Sequence, residues 1–477
     1  MKKIISSIAV ILLVFCVFTS CETEKSSVTA IYVDGEPLSG FRADQYEYYI
    51  ELKDGHADFP TVTVTYTGKS EPVVTAADQA NSMAKIELGN LVYKVFFTSS
   101  AVEYKETYLQ NTYHKLAEEK KLNIGFIGGS ITAGVGASSY EHCWAGTTEK
   151  WFRDNYPDAV ITSNNAAFGG IGTDFNAFRA YSELNLADSE KAPDLLFVEC
   201  SLNDAHIKTS SDTVKGYTEA MIRMVNKYAP ECDIIYVFTS DYWRGNKDFE
   251  QRLAAMEVLD AYGIRYINVG GPLFDKIIAE NGGEMPTEPT GGLMMKYFID
   301  AVHPTDAGYA VYTSVINAWL DETLLSPSPL DKSAHSAHTV PEESLFGSYP
   351  TALSCTSFAG FADFLPEWTN NGDSLECRER TSFTFTFTGT GAYLWTNSFS
   401  DGCIYTFVID GNPSTKRVSM NKENENCYLA RVISDLEYGE HTVTVNVLGN
   451  TFHSRIYGIC VADDETYAGA KVIKTEQ

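Results

Sequence analysis

The sequence predicts an α/β fold, a doubly wound parallel sheet of five strands, with one β-sandwich before it and another after it along the chain. In the middle of the chain, buried apolar runs alternate with amphipathic stretches, which is typical of a parallel sheet covered by helices. The regions before and after it alternate polar and apolar residues with a period of two, as half-buried strands do. With 477 residues, of which 44% are hydrophobic, the chain is long enough for several domains.

The first residues predict export and a lipid anchor. Lys2 and Lys3 precede an apolar stretch that is too short to span a bilayer comfortably, and Cys21 follows small residues in "FTSC". Residues 1–20 therefore resemble a bacterial lipoprotein signal peptide with Cys21 as the lipidated residue; a plain signal peptide with an incidental cysteine is the alternative. The expected location is the bacterial outer membrane, attached through the lipid alone. The acidic stretch after Cys21 resembles surface-export signals.

Residues 28–101 contain short alternating runs such as "TVTVTY" and "YKVFF", separated by turn residues. This pattern predicts a small immunoglobulin-like β-sandwich.

The middle region, residues 107–325, predicts the parallel sheet. Its apolar runs are rich in Ile, Val, Leu and Phe, which indicates strands buried on both faces. The predicted strands are 122–127, 159–166, 194–200, 233–239 and 264–269, and the predicted helices include 144–154, 174–187, 213–229 and 247–262. In such a fold the functional residues lie in loops beyond the carboxyl ends of the strands.

The last third of the chain predicts a linker and a second sandwich. Residues 326–343 are rich in Ser, Pro, Ala and His and are expected to form the linker. Residues 344–470 alternate in runs such as "SFTFTFTG", which predicts a jelly-roll-like β-sandwich. Tyr393, Trp395 and Tyr405 on these strands either stack on sugar rings or, as is more common, pack across strands.

Charge and cysteine usage exclude several classes of protein. The formal net charge is −27, and so acidic a surface repels nucleic acid and anionic headgroups, so neither is an expected partner. The cysteines after Cys21 form no CxxC pair and no spacing suited to zinc. Buried thiols with one or two bridges are expected.

The segment "IGFIGGSITAGVGASS", residues 124–139, follows the first strand of the middle region and contains Ser130. Its glycines do not have the spacing of a dinucleotide or P-loop motif. Thr132 stands where a G-x-S-x-G elbow requires its last glycine. Alone, Ser130 would more often be a turn residue than a nucleophile.

Three later segments change that expectation. Gly170 lies in "NNAAFGGIGT", Asn203 in "ECSLNDA", and Asp300 and His303 in "FIDAVHPTDAGY". All three segments follow strands or precede the last helix, so a doubly wound sheet brings them to one rim. Taken singly, Asn203 is equally a helix cap and His303 a loop histidine.

These residues together suit the chemistry of acyl transfer. A serine hydroxyl needs an adjacent base; His303 serves as that base for Ser130, and Asp300 would orient its ring. The N–H groups of Ser130 and Gly170 and the side-chain amide of Asn203 would stabilise the oxyanion. Water then hydrolyses the acyl-enzyme, and no metal or organic cofactor is expected.

In order and separation, the four segments resemble the blocks of the SGNH or GDSL hydrolase family, over about residues 120–325. The resemblance implies a flavodoxin-like sheet and matches the family's nucleophile, oxyanion and acid–base positions to Ser130, Gly170, Asn203, Asp300 and His303. Two positions depart from the family pattern: Gly129 replaces the aspartate of the first block, and Ser201 replaces the glycine two residues before Asn203.

Some neighbouring assignments stay open. Gly169 substitutes for Gly170 if the alignment is shifted by one residue. His142 and His206 lie in the same loops and are expected to be rim or packing residues, and Asp204 is expected to cap the helix that follows it.

The acyl donor is predicted less directly. Trp243 and Arg244, in the loop "SDYWRGN", are expected to contact a sugar or a carboxylate, although Trp243 equally suits a cover for the sheet edge. An exported lipoprotein with two flanking sandwiches resembles polysaccharide-processing enzymes. The leading hypothesis is therefore a carbohydrate O-acetylesterase, whose partner is an acylated glycan or small ester; the oligomeric state stays open. The alternatives are a lipase or phospholipid acylhydrolase, and an inactive glycan-binding lipoprotein, which Gly129 and Ser201 favour.

Overall fold

The structure, a computed structural model, describes residues 26–38, 41–43, 46–52, 59–77, 83–99, 108–325, 330–347, 349–422, 427–449 and 451–473. The chain divides into two compact units, 1–101 and 102–477. The predicted signal segment and Cys21 lie outside the described residues. Within the described ranges, none of the helices combines the length and the apolar character that crossing a bilayer requires.

The first unit is a sandwich of two sheets, as the fold class predicts. One sheet has the order β2-β1-β4 and the other β3-β7-β6-β5, in which β3 and β7 are parallel. Val28 and Ile31 from the first sheet share a core with Ile86, Tyr93 and Val95 from the second. The strands are β1 (Ser27–Val33), β2 (Glu36–Pro37), β3 (Glu47–Leu52), β4 (Val62–Thr67), β5 (Val73–Thr75), β6 (Met83–Leu88) and β7 (Leu91–Ser99).

The second unit begins with the predicted parallel sheet. Its strands are β8 (Lys121–Gly128), β9 (Val160–Asn165), β10 (Leu195–Glu199), β11 (Asp233–Phe238) and β12 (Arg265–Asn268). They are ordered β12-β11-β10-β8-β9, and every neighbouring pair is parallel. The strand order changes direction between β8 and β10, so the loops that follow these two strands separate and open a crevice at the carboxyl edge.

Helices cover both faces of this sheet. Side chains such as Val198 point to the face covered by α3, α5 and α6, and side chains such as Phe197 point to the face covered by α2, α7 and α9. This alternation makes the sheet doubly wound. The helices are α1 (Gln110–His114), α2 (Trp144–Asn155), α3 (Thr173–Glu183), α4 (Ser201–Ile207), α5 (Ser211–Tyr228), α6 (Glu250–Tyr262), α7 (Gly270–Glu280), α8 (Met294–Tyr297) and α9 (Asp306–Leu320). Short 3₁₀ turns lie at Tyr140–His142 and Ala359–Phe364, and π turns at Lys115–Glu119 and Asp321–Leu325.

The end of the second unit is the predicted second sandwich. One sheet has the order β14-β15-β22-β17-β20, with β13 also paired to β22, and the other has the order β19-β18-β21-β16-β23. Phe383, Phe385 and Phe387 alternate with threonines on β16 and point into the core between the sheets. The strands are β13 (Leu353–Ser357), β14 (Thr369–Asn370), β15 (Leu375–Cys377), β16 (Thr381–Gly389), β17 (Gly391–Asn397), β18 (Ile404–Ile409), β19 (Asn412–Ser419), β20 (Cys427–Ile433), β21 (Gly439–Leu448), β22 (Ser454–Ala462) and β23 (Lys471–Ile473).

Two of the three aromatic residues considered for sugar stacking are buried, so that interpretation is wrong for them. Tyr405 lies inside the sandwich, where its hydroxyl is 2.7 Å from Ser454 Oγ. Trp395, on β17, is buried against the helices that cover one face of the parallel sheet. Tyr393 is half-buried, and its ring packs 5.1 Å from that of Phe178.

A disulfide between Cys355 and Cys460 joins β13 to β22. Among the described residues, six further cysteines are free: Cys143, Cys200, Cys232, Cys377, Cys403 and Cys427.

Residues 330–347, which include most of the predicted linker, form a strap along the sheet domain. The His338 Nε2 atom lies 2.9 Å from Asp233 Oδ1, and Arg223 donates hydrogen bonds to the carbonyl oxygens of Pro341 and Glu342. Because its backbone polar groups find partners on the domain, the segment is held in place although its composition is that of a linker.

Candidate active site

The nucleophile candidate lies in the turn after β8 and contacts the loop before α9. Ser130 Oγ lies 2.8 Å from His303 Nε2, and His303 Nδ1 lies 2.8 Å from Asp300 Oδ2. The hydroxyl, the imidazole and the carboxylate thus form one hydrogen-bonded chain, although Ser130 and His303 are 173 residues apart in sequence.

Asp300 is held as an ionised acceptor. Its Oδ1 atom accepts the backbone N–H groups of Val302 and His303, each at 2.7 Å. Partial burial raises the pKa of Asp300, but the hydrogen bonds from the His303 ring and these two N–H groups outweigh burial and lower the pKa below its ordinary value. A charged Asp300 assigns the ring proton to Nδ1 and leaves Nε2 to accept the Ser130 proton.

The loop after β9 and helix α4 are tied together beside this chain. Asn203 Nδ2 donates to the carbonyl oxygen of Ile171 at 2.9 Å. The buried carboxylate of Asp204 accepts the Thr173 N–H at 3.0 Å and the Thr173 hydroxyl at 2.5 Å. Asp204 therefore caps α3, which precedes it, and the expectation that it caps the following helix is wrong. Burial, together with nearby Asp174, raises the pKa of Asp204 to about 7.

At Gly129, the first departure from the family pattern, the Asn203 amide occupies the space that a Cβ atom would take. A Cβ atom at position 129 would lie 2.1 Å from Asn203 Nδ2, so any larger residue there requires the Asn203 amide to shift. One amide hydrogen of Asn203 bonds Ile171, and the other has no acceptor among the described residues. Ser201, the second departure, is buried in the first turn of α4, and its hydroxyl has no partner among the described residues.

Gly170 is the position of the loop that requires glycine. Its φ is +77°, in the left-handed region that other residues rarely adopt, whereas a Cβ at Gly169 would make an ordinary contact 3.7 Å from the Ser130 Cβ. The backbone N–H groups of Ser130 and Gly170 donate to no other group in the part of the chain that the structure describes. Both are therefore open to a ligand oxygen.

Two side chains that hold the turn containing Ser130 were not identified from the sequence. The buried Glu199 carboxylate accepts the hydroxyl of Thr132 at 3.0 Å and that of Thr239 at 2.9 Å. Burial raises the pKa of Glu199 above its ordinary value. Tyr309 on α9 donates to the carbonyl oxygen of Val135 at 2.8 Å. A carboxylate that directly follows the apolar run "LLFV" was the available signal for Glu199.

The two neighbouring histidines differ in their surroundings. His142 Nδ1 lies 2.7 Å from Ser138 Oγ, and Ser138 also bonds Asp306, so His142 lies in the rim as expected. His206 Nε2 lies 2.9 Å from Asp241 Oδ2, a carboxylate that is wholly buried.

The two expected substrate contacts lie in different environments. Trp243 is 61% exposed. The Arg244 guanidinium instead bonds the buried Asp241 carboxylate and lies over the Phe249 ring at 5.3 Å. Trp243 is thus available to a substrate, whereas Arg244 is engaged in supporting the loop.

This arrangement suits one kind of chemistry. A serine beside an oriented imidazole attacks an electrophilic carbonyl carbon, and a side-chain amide with two open N–H groups receives the negative oxygen that forms.

Comparison with known proteins agrees with this description. Residues 126–311 match the sequence model of the GDSL-like Lipase/Acylhydrolase family. No curated protein sequence matches the chain.

Among solved structures, a two-domain esterase active on acetylated mannans is similar in two crystal structures. With mannopentaose present, the TM-score is 0.57 at 19% identity, and the match covers 74% of this chain and 95% of the esterase. The second structure gives a TM-score of 0.58 at 18% identity with the same coverage. At these identities the likeness shows the fold. The family match, the doubly wound sheet and the order of the four segments agree: over residues 126–311 the chain carries a hydrolase domain of the GDSL-like lipase/acylhydrolase family.

Proposed function

We propose that the protein is a serine esterase that removes O-acyl groups, chiefly O-acetyl groups, from a carbohydrate through an acyl-enzyme intermediate. The observation that carries the proposal is the hydrogen-bonded chain from Ser130 through His303 to Asp300, with 2.8 Å at each link between side chains. A structural serine would not need an imidazole placed to take its proton.

The reaction follows from the geometry in two halves. Ser130 Oγ attacks the ester carbonyl carbon while His303 Nε2 takes the hydroxyl proton, and Asp300 stabilises the imidazolium that forms. The Asn203 amide and the N–H groups of Ser130 and Gly170 stabilise the oxyanion. The sugar hydroxyl leaves with the proton from Nε2. Water then attacks the acyl carbon and gives a proton to Nε2; the bond from that carbon to Ser130 Oγ breaks, Oγ takes the proton back from Nε2, and the carboxylic acid departs.

The carbohydrate part of the proposal has separate support. The predicted export signal and the two sandwiches suit a protein that acts on extracellular polymers. The esterase of similar fold is described as active on acetylated mannans, which makes acetylated mannan the first polymer to try.

The test combines active-site labelling with acetate release. A fluorophosphonate should label the full chain but not Ser130→Ala, and the purified protein should release acetate from acetylated mannan, xylan or pectin. Ser130→Ala should lower kcat by about 10⁴- to 10⁶-fold because the covalent step is lost. Hydrolysis of octanoyl esters without acetate release from any glycan would favour the lipase alternative. No labelling and no ester hydrolysis would favour the inactive glycan-binding protein.

We also propose that the protein is exported and anchored through a lipid on Cys21. Bacteria that express the chain should incorporate labelled palmitate into it, and the protein should fractionate with the outer membrane. Cys21→Ser should abolish both, whereas Cys143→Ser, which changes a buried thiol of the hydrolase domain, should abolish neither. Equal palmitate labelling of wild type and Cys21→Ser would contradict the anchor.

A further inference from the structure

Helix α4 places His206 beside the proposed oxyanion site. Asn203 and His206 are three residues apart and therefore lie on one face of the helix. The Asn203 amide is fixed over Gly129, directly before the nucleophile. His206 thus lies one helical turn from a proposed oxyanion donor.

The loop after β11 also lies beside the proposed active site. The Tyr242 N–H donates to the carbonyl oxygen of Ala301 at 2.9 Å, which joins this loop to the segment that carries Asp300 and His303. The Tyr242 hydroxyl donates to the carbonyl oxygen of Pro286 at 2.9 Å. Trp243, the next residue, lies beside His206 of α4, with ring centroids 5.9 Å apart.

The His206 ring is held in one orientation by a buried acid. Asp241 is wholly buried, a position that is costly for a carboxylate unless cations and donors compensate for the lost water. His206 Nε2 at 2.9 Å, the Arg244 guanidinium and the Arg244 N–H at 3.0 Å provide that compensation. The contact with Asp241 uses Nε2, and in the tautomer that carries its proton there Nδ1 is an acceptor. In the described part of the chain Nδ1 bonds no other group, and the side chain is one-third exposed.

Two neighbouring rings contact Trp243 while most of its surface stays exposed. The rings of His206 and Tyr242 meet it edge-on, both at 87°, with centroids 5.9 and 6.3 Å away. These contacts support one edge of the indole and leave it 61% exposed. An exposed indole suits the apolar face of a sugar ring, and an adjacent nitrogen acceptor suits a sugar hydroxyl.

We infer that Trp243 and His206 form the sugar subsite of the esterase: the acylated pyranose stacks on the indole, and one of its hydroxyls donates a hydrogen bond to His206 Nδ1. Asp241 and Arg244 position His206 and do not touch the sugar. The inference rests on the proposed function and names the part of the substrate that the site recognises. An acyl chain would use the indole but has no hydroxyl for His206, which separates a glycan from a lipid.

The experiment compares substrates with and without a sugar in the full-length protein. We expect the ratio of kcat/KM for an acetylated manno-oligosaccharide to kcat/KM for p-nitrophenyl acetate to fall at least tenfold in Trp243→Ala. The ratio should fall about fivefold or more in His206→Phe, which keeps a ring but removes the acceptor. The main cause should be a higher KM for the oligosaccharide. His206→Gln, which retains an acceptor, should recover part of the ratio. Trp319→Ala, which removes an indole that packs on Tyr108 away from these loops, is the matched control and should leave the ratio as in wild type.

Three outcomes overturn the inference. The first is an unchanged ratio in both Trp243→Ala and His206→Phe. The second is a larger loss on p-nitrophenyl octanoate than on the glycan, which would assign the indole to the acyl chain.

If wild type hydrolyses small esters but releases no acetate from any glycan, the proposed function fails by itself. Calorimetric titration of Ser130→Ala with unacetylated manno-oligosaccharide then tests the subsite: binding that Trp243→Ala abolishes supports it, and no binding is the third outcome that overturns it.

Discussion

The two sandwiches that flank the hydrolase domain bury their apolar surfaces in different places. In the first unit, the core cluster consists of residues between Val28 and Phe97, all from that sandwich. The second sandwich has an inner core between its sheets and also an outer apolar surface, which includes Leu353, Trp395 and Tyr457. This outer surface belongs to the same cluster as the helices on one face of the parallel sheet. The second sandwich is therefore part of the hydrolase body, whereas the first has its own core.

The shared surface extends to the loop that carries Gly170. Phe168 packs edge-to-face on Trp395 at 4.6 Å and on Tyr457 at 5.4 Å. Arg179 lies over Trp395 at 5.0 Å and donates to the carbonyl oxygen of Ala166 at 3.2 Å. A region whose sequence is typical of an accessory module thus supports the loop that carries a proposed oxyanion donor.

Deletion of the second sandwich should abolish folding and activity, whereas deletion of the first sandwich should preserve both. This is the largest expected effect. Deleting residues 344–477 exposes the apolar face of α3 and α5, so we expect little soluble protein and no esterase activity on p-nitrophenyl acetate. Deleting residues 22–101 should leave a folded, active hydrolase body. Soluble yield, melting temperature and kcat/KM measure both. A C-terminally truncated protein with wild-type kcat/KM would break the comparison.

Substitution of two tryptophans in the second sandwich distinguishes an effect on the Gly170 loop from an effect on stability. Trp395 and Trp368 are 7% and 5% exposed, but Trp368 packs within the sandwich, on Phe358 and Phe383. Each change to alanine should lower the free energy of unfolding by about 3–5 kcal/mol. Only Trp395→Ala should also lower kcat on p-nitrophenyl acetate, by about tenfold, because the Gly170 loop loses its packing partner.

Both variants are compared at a temperature at which circular dichroism shows them folded. Equal kcat values for the two would show that the interface contributes stability alone.

Reduction of the disulfide should affect one unit only. Cys355 and Cys460 are 105 residues apart, and residues 28–101 contain no cysteine. Breaking the bond should therefore lower the stability of the larger unit by about 2–4 kcal/mol and leave the first sandwich unchanged. Calorimetry with and without reductant measures the two transitions. The double variant Cys355→Ala/Cys460→Ala should not respond to reductant, and a shift of the first sandwich would contradict the assignment.

Arg179 offers the smallest and most local change. Arg179→Met keeps the aliphatic stem but loses the hydrogen bond to Ala166 and the charge over Trp395, which should cost about 1–3 kcal/mol. We expect kcat on p-nitrophenyl acetate to fall a few-fold while KM changes little. Arg378→Met, on the exposed surface of the sandwich, is the control and should change neither. A change in KM alone would place Arg179 in substrate binding instead.

Much of the hydrolase fold was predictable because its elements are local patterns. The five predicted strands correspond to β8–β12 with boundaries within one or two residues, since each is a buried apolar run. The juxtaposition of Ser130, Asn203 and His303 followed from their positions at strand ends. Their catalytic roles remain predictions.

The local sequence pattern contained little information about contacts between elements that are distant in the chain. The predicted linker has few apolar residues, so nothing local indicated that Asp233 and Arg223 would bind it. Trp395 alternates on β17 like any sandwich residue, and its burial depends on Phe168, which lies more than two hundred positions earlier in the chain. The His206–Asp241 pair joins two loops in the same way.

Local periodicity and turn chemistry are properties of neighbouring residues, so the sequence was sufficient for the strands, the helices, the sandwich class and the candidates for nucleophile, base and acid. Other features depend on distances between segments far apart in the chain. They are the contact of the Asn203 amide with Gly129, the capping of α3 by Asp204, the packing of the second sandwich on the helices and the orientation of His206. Such distances arise from packing and from the partners that buried polar groups find, and they became visible once the chain was folded.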